Sequence, residues 1–224
     1  MIKDYLIKSN WTYWYVLPFV RLIHRFFNKE GNLSITNGGL YKIRKKVQGA
    51  SNHLIIGKGS ILNDVVIHIR GNNNTIEFDE NVKVGKECSF WCEGDNCKIF
   101  IGKGTTFTSK VHFCCQENNS RIECGEDCMF SNNIIVRTSD SHAIQDIKTR
   151  ERINSAKSVA IGNHVWIAPK STIMKGTSIG NNVIIGSNTL VTQNIPNNVL
   201  AVGMPAKVVK EGVTWSRKDI IFNN

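Results

Sequence analysis

One histidine stands inside a polar stretch, RTSDSHAIQDIKTRERIN (137–154), that interrupts an otherwise regular chain. An imidazole titrates near neutral pH, so His142 is a candidate general base that could take a proton from an attacking hydroxyl. Asp140 lies two residues before it. A carboxylate there could bond the ring and fix its tautomer. On residue types alone the pair could equally be a surface histidine beside a surface aspartate. Trp166, in NHVWIAP, offers an indole N–H donor and a flat apolar ring; the alternative is an aromatic packed against another subunit. His164 precedes it by two positions and shares its side by strand alternation, but no role is assigned to it. Arg152, in RERIN, either binds an acidic group of an acceptor or braces the polar loop.

Other chemistries are poorly served. The six histidines are His24, His53, His68, His112, His142 and His164, and none forms a close H-x4-H pair. That argues against a three-histidine zinc centre. The seven cysteines all lie between Cys88 and Cys128 without paired C-x2-C spacing. They are expected to be reduced packing residues rather than zinc ligands, and no metal is expected. No glycine-rich phosphate cradle occurs.

Composition narrows the class further. Apolar residues make up 41% of the 224, enough for a sizeable core. The formal charge is +10, from 28 basic and 18 acidic residues, which favours polyanionic partners. No nucleic-acid recognition motif accompanies that charge, so nucleic acid is not expected. The longest apolar stretch (11–23) is broken by Pro18 and Arg21 and has no cleavage site after it. A cytoplasmic protein without a spanning helix is therefore predicted.

The elements that must position these residues show in a repeat. The steps IIGKGS, EFDENV, FIGKGT, ECGEDC, AIGNHV and SIGNNV place Gly57, Asp79, Gly102, Gly125, Gly162 and Gly180 at intervals of 22, 23, 23, 37 and 18. Near the C-terminus Ile161, Ile167, Ile173, Ile179, Ile185 and Val191 follow at steps of six. A helix needs a period of 3.6 and a plain strand unbroken alternation, so a six-residue step means a short strand plus a tight turn. Three such steps make one coil of a triangular prism. The interval of 37 is read as about two turns with the polar loop inside. The recurrent GNNN (71–74), EGDN (93–96) and ENN (117–119) are read as stacked corners. Cys92 and Cys115 share an offset and are expected to stack inside.

Over about 120–211 the chain resembles the hexapeptide-repeat acyltransferases. The carriers are NHVWI, GSNTLVTQNIP and AVGMPAKVVKE. The loop and the tail VTWSRK further resemble bacterial polysaccharide O-acetyltransferases, sialic acid capsule enzymes among them. The resemblance implies an all-β fold, a left-handed parallel β-helix, and a homotrimer with active sites between subunits. It implies acetyl-CoA as acyl donor, a glycan acceptor and His142 as the catalytic base. Ala168, Gly186, Ser187 and Thr192 would then line the pantetheine groove, with Lys207 and Lys210 near the nucleotide phosphates. An acetyltransferase for small molecules and a non-catalytic β-helix are the alternatives.

The expected organisation is an N-terminal helical extension (1–33), a β-helix (34–211) with a protruding loop at about 138–156, and a tail (212–224). The extension carries Trp11, Tyr13, Trp14, Tyr15 and Phe19 among basic residues. It would cap the open prism or touch an anionic membrane surface from the cytoplasmic side. YKIRKK (41–46) is expected to begin the first coil.

Overall fold

A computed structural model of the chain describes residues 33–218. The expected helical extension and its membrane contact fall outside these residues. Among the described residues every regular element is a strand, and no helix is long and apolar enough to cross a membrane.

The chain winds as a parallel β-helix with three faces. The first face stacks β1 (Leu33–Asn37), β3 (Asn52–Ile56), β5 (Thr75–Phe78), β8 (Lys98–Ile101), β11 (Arg121–Cys124), β14 (Val159–Ile161) and β17 (Ser178–Ile179). The second face holds β6 (Lys83–Val84), β9 (Thr106–Ser109), β12 (Met129–Asn132), β15 (Trp166–Ile167), β18 (Ile184–Ile185) and β20 (Val199–Val202). The third holds β7 (Ser89–Glu93), β10 (His112–Gln116), β13 (Ile135–Arg137), β16 (Thr172–Ile173) and β19 (Leu190–Val191). The long strand β4 (Ile61–Arg70) turns the corner between the second and third faces. Its start pairs with β6 and its end with β7. The edge strand β2 (Leu40–Gln48) pairs along β4, and β21 (Lys207–Glu211) closes the other end antiparallel to β20.

The register reproduces the sequence intervals. Thr75 faces Lys98 and Lys98 faces Arg121, while Ala160 faces Ser178. Two expectations need correction. The 37-residue interval is one coil, not two: β11 pairs directly with β14, Ile122 opposite Val159. The whole excess is the loop, because a parallel ladder leaves no room for another coil between paired strands. The first coil also opens earlier than YKIRKK, at β1, which pairs with β3.

The interior explains the spacing. Ile161, Ile167, Ile173, Ile179, Ile185 and Val191 are all buried. Phe78, Phe90, Phe107, Phe113 and Phe130 form an aromatic column within the wider coils, with Phe107 and Phe130 stacked at 4.6 Å. Each buried aliphatic or aromatic side chain contributes about 1.5–3 kcal/mol. The cysteines are free and buried, with Cys92 opposite Cys115 in register, as interior stacking requires. Burial pushes the Cys88 and Cys114 thiols up to about 11, which keeps them protonated at neutral pH.

The corners are hydrogen-bonded columns. The Asn72 amide donates to Asp95 Oδ1 (2.7 Å), and the Asp95 amide donates to Asn118 Oδ1 (2.8 Å). A like ladder at the corner between the first and second faces runs through Asn163, Asn181 and Asn197. Gly71, beside the first ladder, has φ +130, and a Cβ there would collide with the Gly94 carbonyl.

Replacing Phe113, at the centre of the aromatic column, by alanine should cost about 3–5 kcal/mol, read from the midpoint of denaturant unfolding. A loss under about 1 kcal/mol would mean that the column is not a close-packed unit.

Candidate active site

The loop that carries His142 leaves the corner between the third and first faces, after β13, and returns at β14. It is a braced excursion. Gln145 and Arg152 form an antiparallel bridge, and the Ile153 amide donates to the Ile144 carbonyl at 2.9 Å. Asp146 closes the tip by accepting from the Lys148 and Thr149 amides.

Asn154 is the hub at the base. Its Oδ1 accepts from the Ile144 amide (2.7 Å) and from Arg152 Nε (3.1 Å). Its Nδ2 donates to Asp140 Oδ2 (2.8 Å) and to the His142 carbonyl (2.9 Å).

Two ion pairs pin this base to the prism. Arg152 donates twice to Glu117, at 2.7 and 2.6 Å. Ser139 Oγ also donates to Glu117. A bidentate guanidinium–carboxylate pair fixes direction as well as distance. The Arg152 bonds hold the Glu117 carboxyl down at about 2. On the other side Lys175 Nζ donates to Asp140 Oδ2 (2.6 Å) and to the Asn154 carbonyl (2.8 Å). Lys175, followed by Asn154, holds the Asp140 carboxyl below its ordinary range.

The structure thus separates two expected roles. Asp140 does not bond the His142 ring. It is committed to Lys175 and Asn154, and reaches His142 through the Asn154 bond to the histidine's backbone carbonyl. Arg152 braces the loop. The His142 ring is exposed, and among the described residues no side chain bonds it. A free imidazole at the edge of a fixed backbone can meet an incoming hydroxyl without first breaking a contact.

Trp166 lies in β15 on the second face. Its Nε1 is 3.4 Å from Ser131 Oγ, a long contact. The corner that releases the His142 loop is opposite the second face in a triangular section, so one chain does not bring the two residues together. His164 is not in the strand with Trp166. It is a corner residue with φ +55, tied to Asp127 and Trp215.

Ala168 and Gly186 occupy one corner in successive coils. Ser171 Oγ ties them from inside, donating to the Ala168 carbonyl (3.0 Å) and the Gly186 carbonyl (2.9 Å). Ser187 and Thr192 are exposed nearby in the chain. Val202 packs against Gly186, and Lys207 faces Val202 in the β20–β21 pair. Lys210 faces Leu200 and is also exposed. The small-residue corner and the two exposed cations therefore belong to one end of one face.

Sequence reasoning missed Glu117, Asn154 and Lys175. Glu117 sits inside a corner motif, and Lys175 follows a plain six-residue step. Neither carries a local signature. Among the described residues no group of three histidine, cysteine or acidic side chains converges as metal ligands would.

With this geometry in place, the comparisons with known proteins are decisive for family. The chain is 33% identical over 191 residues to the polysialic acid O-acetyltransferase of Neisseria meningitidis, covering 76% of this chain and 88% of that protein. The chain belongs to the hexapeptide-repeat acetyltransferases. The family model for the bacterial transferase hexapeptide (six repeats) matches residues 158–193, the part with the cleanest six-residue grid. A crystal structure of the polysialic acid O-acetyltransferase OatWY superposes with a TM-score of 0.72 at 32% identity, over 84% of this chain and 88% of that one. The coils accordingly form the left-handed parallel β-helix of the hexapeptide-repeat proteins. A polysialic acid O-acetyltransferase of Escherichia coli O1:K1 / APEC is 35% identical over 122 residues. That match covers 54% of this chain and 39% of that protein.

The loop brace has a pH signature. Glu117 is held near 2 against an ordinary value of 4.5, so its stabilising contribution is fully present above about 4.5 and is lost as pH falls toward 2. Limited proteolysis of the loop should therefore be constant above pH 5 and accelerate below 4.5. Glu117→Gln should cleave faster at pH 7 and lose most of that acid step. An unchanged acid step in the variant would remove Glu117 from the brace.

Proposed function

We propose that the protein is an O-acetyltransferase that moves the acetyl group of acetyl-CoA to a sugar hydroxyl of an acidic bacterial surface polysaccharide, with His142 as general base. The observation that carries this reading is the braced loop, which holds a free imidazole outside the prism. The match to 88% of the meningococcal enzyme supports the reaction class and the acceptor class.

Bound acetyl-CoA supplies an activated acetyl thioester. The His142 ring takes the acceptor hydroxyl's proton as that oxygen attacks the carbonyl carbon, and returns the proton to the departing sulfur. No acyl-enzyme is required, since the protein needs only to hold both reactants and manage one proton. The Trp166 indole N–H is weakly engaged within the chain, so it is free to donate to the oxygen on which charge develops. Asp140 and Arg152 act at one remove, by holding the loop that presents His142.

The residues fit the cosubstrate. Ala168 and Gly186 add little side-chain bulk of their own to the corner, Ser187 and Thr192 offer hydroxyls beside it, and Lys207 and Lys210 place cations at its end for phosphates. Acetyl-CoA as donor also suits the cytoplasmic placement expected from the sequence.

A homotrimer completes the site. His142 and Trp166 lie on opposite sides of one prism and meet only if one subunit's loop reaches the second face of another. Ile144, Ile147 and Ile153 are exposed on that loop, with Ile147 80% accessible, an apolar surface suited to a neighbouring subunit.

Purified protein should release CoA thiol from acetyl-CoA only when an acceptor is present. The panel is polysialic acid, neutral bacterial glycans, free sialic acid and simple sugars. His142→Ala should lower the rate at least about 100-fold while acetyl-CoA binding persists. Activity on free sugars with none on polymers would favour the small-molecule reading. Full activity in the variant would remove His142 as base.

A further inference from the structure

The tail beyond β21 does not close the end of the prism. It turns back and descends one corner. That corner is a column of left-handed residues, one per coil: Gly104, Asp127, His164, Asn182 and Asn198, with φ between 53 and 69. The tail meets the column one step at a time. The Val213 amide donates to the Asn198 carbonyl (3.2 Å), and Asn182 Nδ2 donates to the Val213 carbonyl (3.1 Å). Thr214 Oγ1 donates to Asn182 Oδ1 (2.6 Å).

Trp215 then stacks flat on His164, with centroids 4.3 Å apart and planes 8° from parallel. Trp215 Nε1 donates to the His164 carbonyl (2.9 Å), and His164 Nε2 meets the Trp215 carbonyl (3.1 Å). Asp127 binds both neighbours, His164 Nδ1 and Arg217 Nε, each at 2.7 Å. Burial pushes the Asp127 carboxyl up, but the Arg217 and His164 bonds outweigh it and hold it below its ordinary range. Arg217 ends the descent on the Thr106 hydroxyl and the Cys128 carbonyl.

Trp215 is 8% exposed yet lies outside the hydrophobic core cluster. What it does touch is the surroundings of Trp166. The two indole centroids are 6.4 Å apart, tilted by 51°. Trp166 stands two residues after His164, on a two-residue strand, and its indole makes one long hydrogen bond. Its orientation therefore depends on what packs beside it.

We infer that residues 213–217 are a strap that fixes the Trp166 indole for acetyl transfer, with Trp215 and His164 as positioning residues. This rests on the reading of Trp166 given above. The strap sets the angle of the Trp166 N–H while leaving the proton chemistry at His142 untouched.

The test uses full-length protein labelled with 5-fluorotryptophan, which carries five tryptophans. The Trp166 fluorine signal is assigned by its loss in Trp166→Phe. In Trp215→Leu and in His164→Ala that signal should shift or broaden. The kcat should fall about tenfold, as expected for a misplaced group remote from the proton transfer. The KM for acetyl-CoA should stay within about twofold. Trp215→Phe keeps a ring against His164 and should recover most of the rate. A Trp166 signal unmoved in both variants would overturn the inference, as would a kcat that falls only in step with the folded fraction. If the unmodified protein acetylates no acceptor, the proposed function fails. The fluorine signal still decides whether the strap holds Trp166.

Discussion

Everything in this structure depends on parallel register. Each strand bonds the strand directly above and below it, so every coil must bring its residues back to the same three faces. The corners carry the cost of that return. They adopt left-handed backbone at Asn81, Asn96, Asp127, Asn182 and their neighbours, and the side chains of Asn96, Asp127 and Asn182 bond the next corner along the axis. Hydroxyls inside the corners do the same. Ser60, Thr105 and Ser171 each donate to a carbonyl of the following coil. A coil can widen from 18 to 23 residues without disturbing the stack: the third-face strand lengthens from two residues in β16 to five in β10, and the corner after it takes the rest. The loop that carries His142 leaves at a corner. An excursion from mid-strand would orphan ladder bonds in two coils.

The fold was largely legible because register is arithmetic. The spacing of Gly57, Asp79, Gly102 and Gly125 gives the coil lengths that the strand pairing repeats, and the six-residue aliphatic grid is the buried column. The interval of 37 is ambiguous, since an added coil and a protruding loop lengthen a sequence alike, and the first coil opens at β1, ahead of YKIRKK. The site was legible in part. His142 and Trp166 stand out by type and setting. The partners that orient the loop do not, because Glu117 lies 35 residues before Arg152 and Lys175 lies 35 after Asp140. Contacts made between coils leave no trace in local spacing. Asp140 was therefore assigned to the nearer histidine, when its charge is satisfied by a lysine one coil away.

The loop base shows how charge is used here. A lone carboxylate near an imidazole would raise the ring's affinity for protons. Asp140 is instead neutralised by Lys175, and Glu117 by Arg152. Both pairs are partly exposed, where an isolated ion pair contributes little. Their value lies in being joined through Asn154, which links Asp140, Arg152 and the His142 backbone in one network. Removing one member unpairs several groups at once, so the loop has one well-defined position rather than a family of them.

The same economy bears on the acceptor. Many carboxylates of the described residues are engaged in pairs: Asp64 with Lys42 and Arg44, Glu80 with Lys103, Asp127 with Arg217, and the two at the loop base. An acidic side chain held in a pair presents little free negative charge to a distant ligand. The excess of 28 basic over 18 acidic residues is therefore felt outside mainly as positive potential. For a neutral sugar that potential does nothing. For a polymer bearing a carboxylate on each residue it acts on every unit at once, concentrating chain near the protein surface. Such attraction needs no residue-by-residue pocket, and it fits a candidate site whose histidine stands exposed at the edge of a loop rather than at the bottom of a cleft.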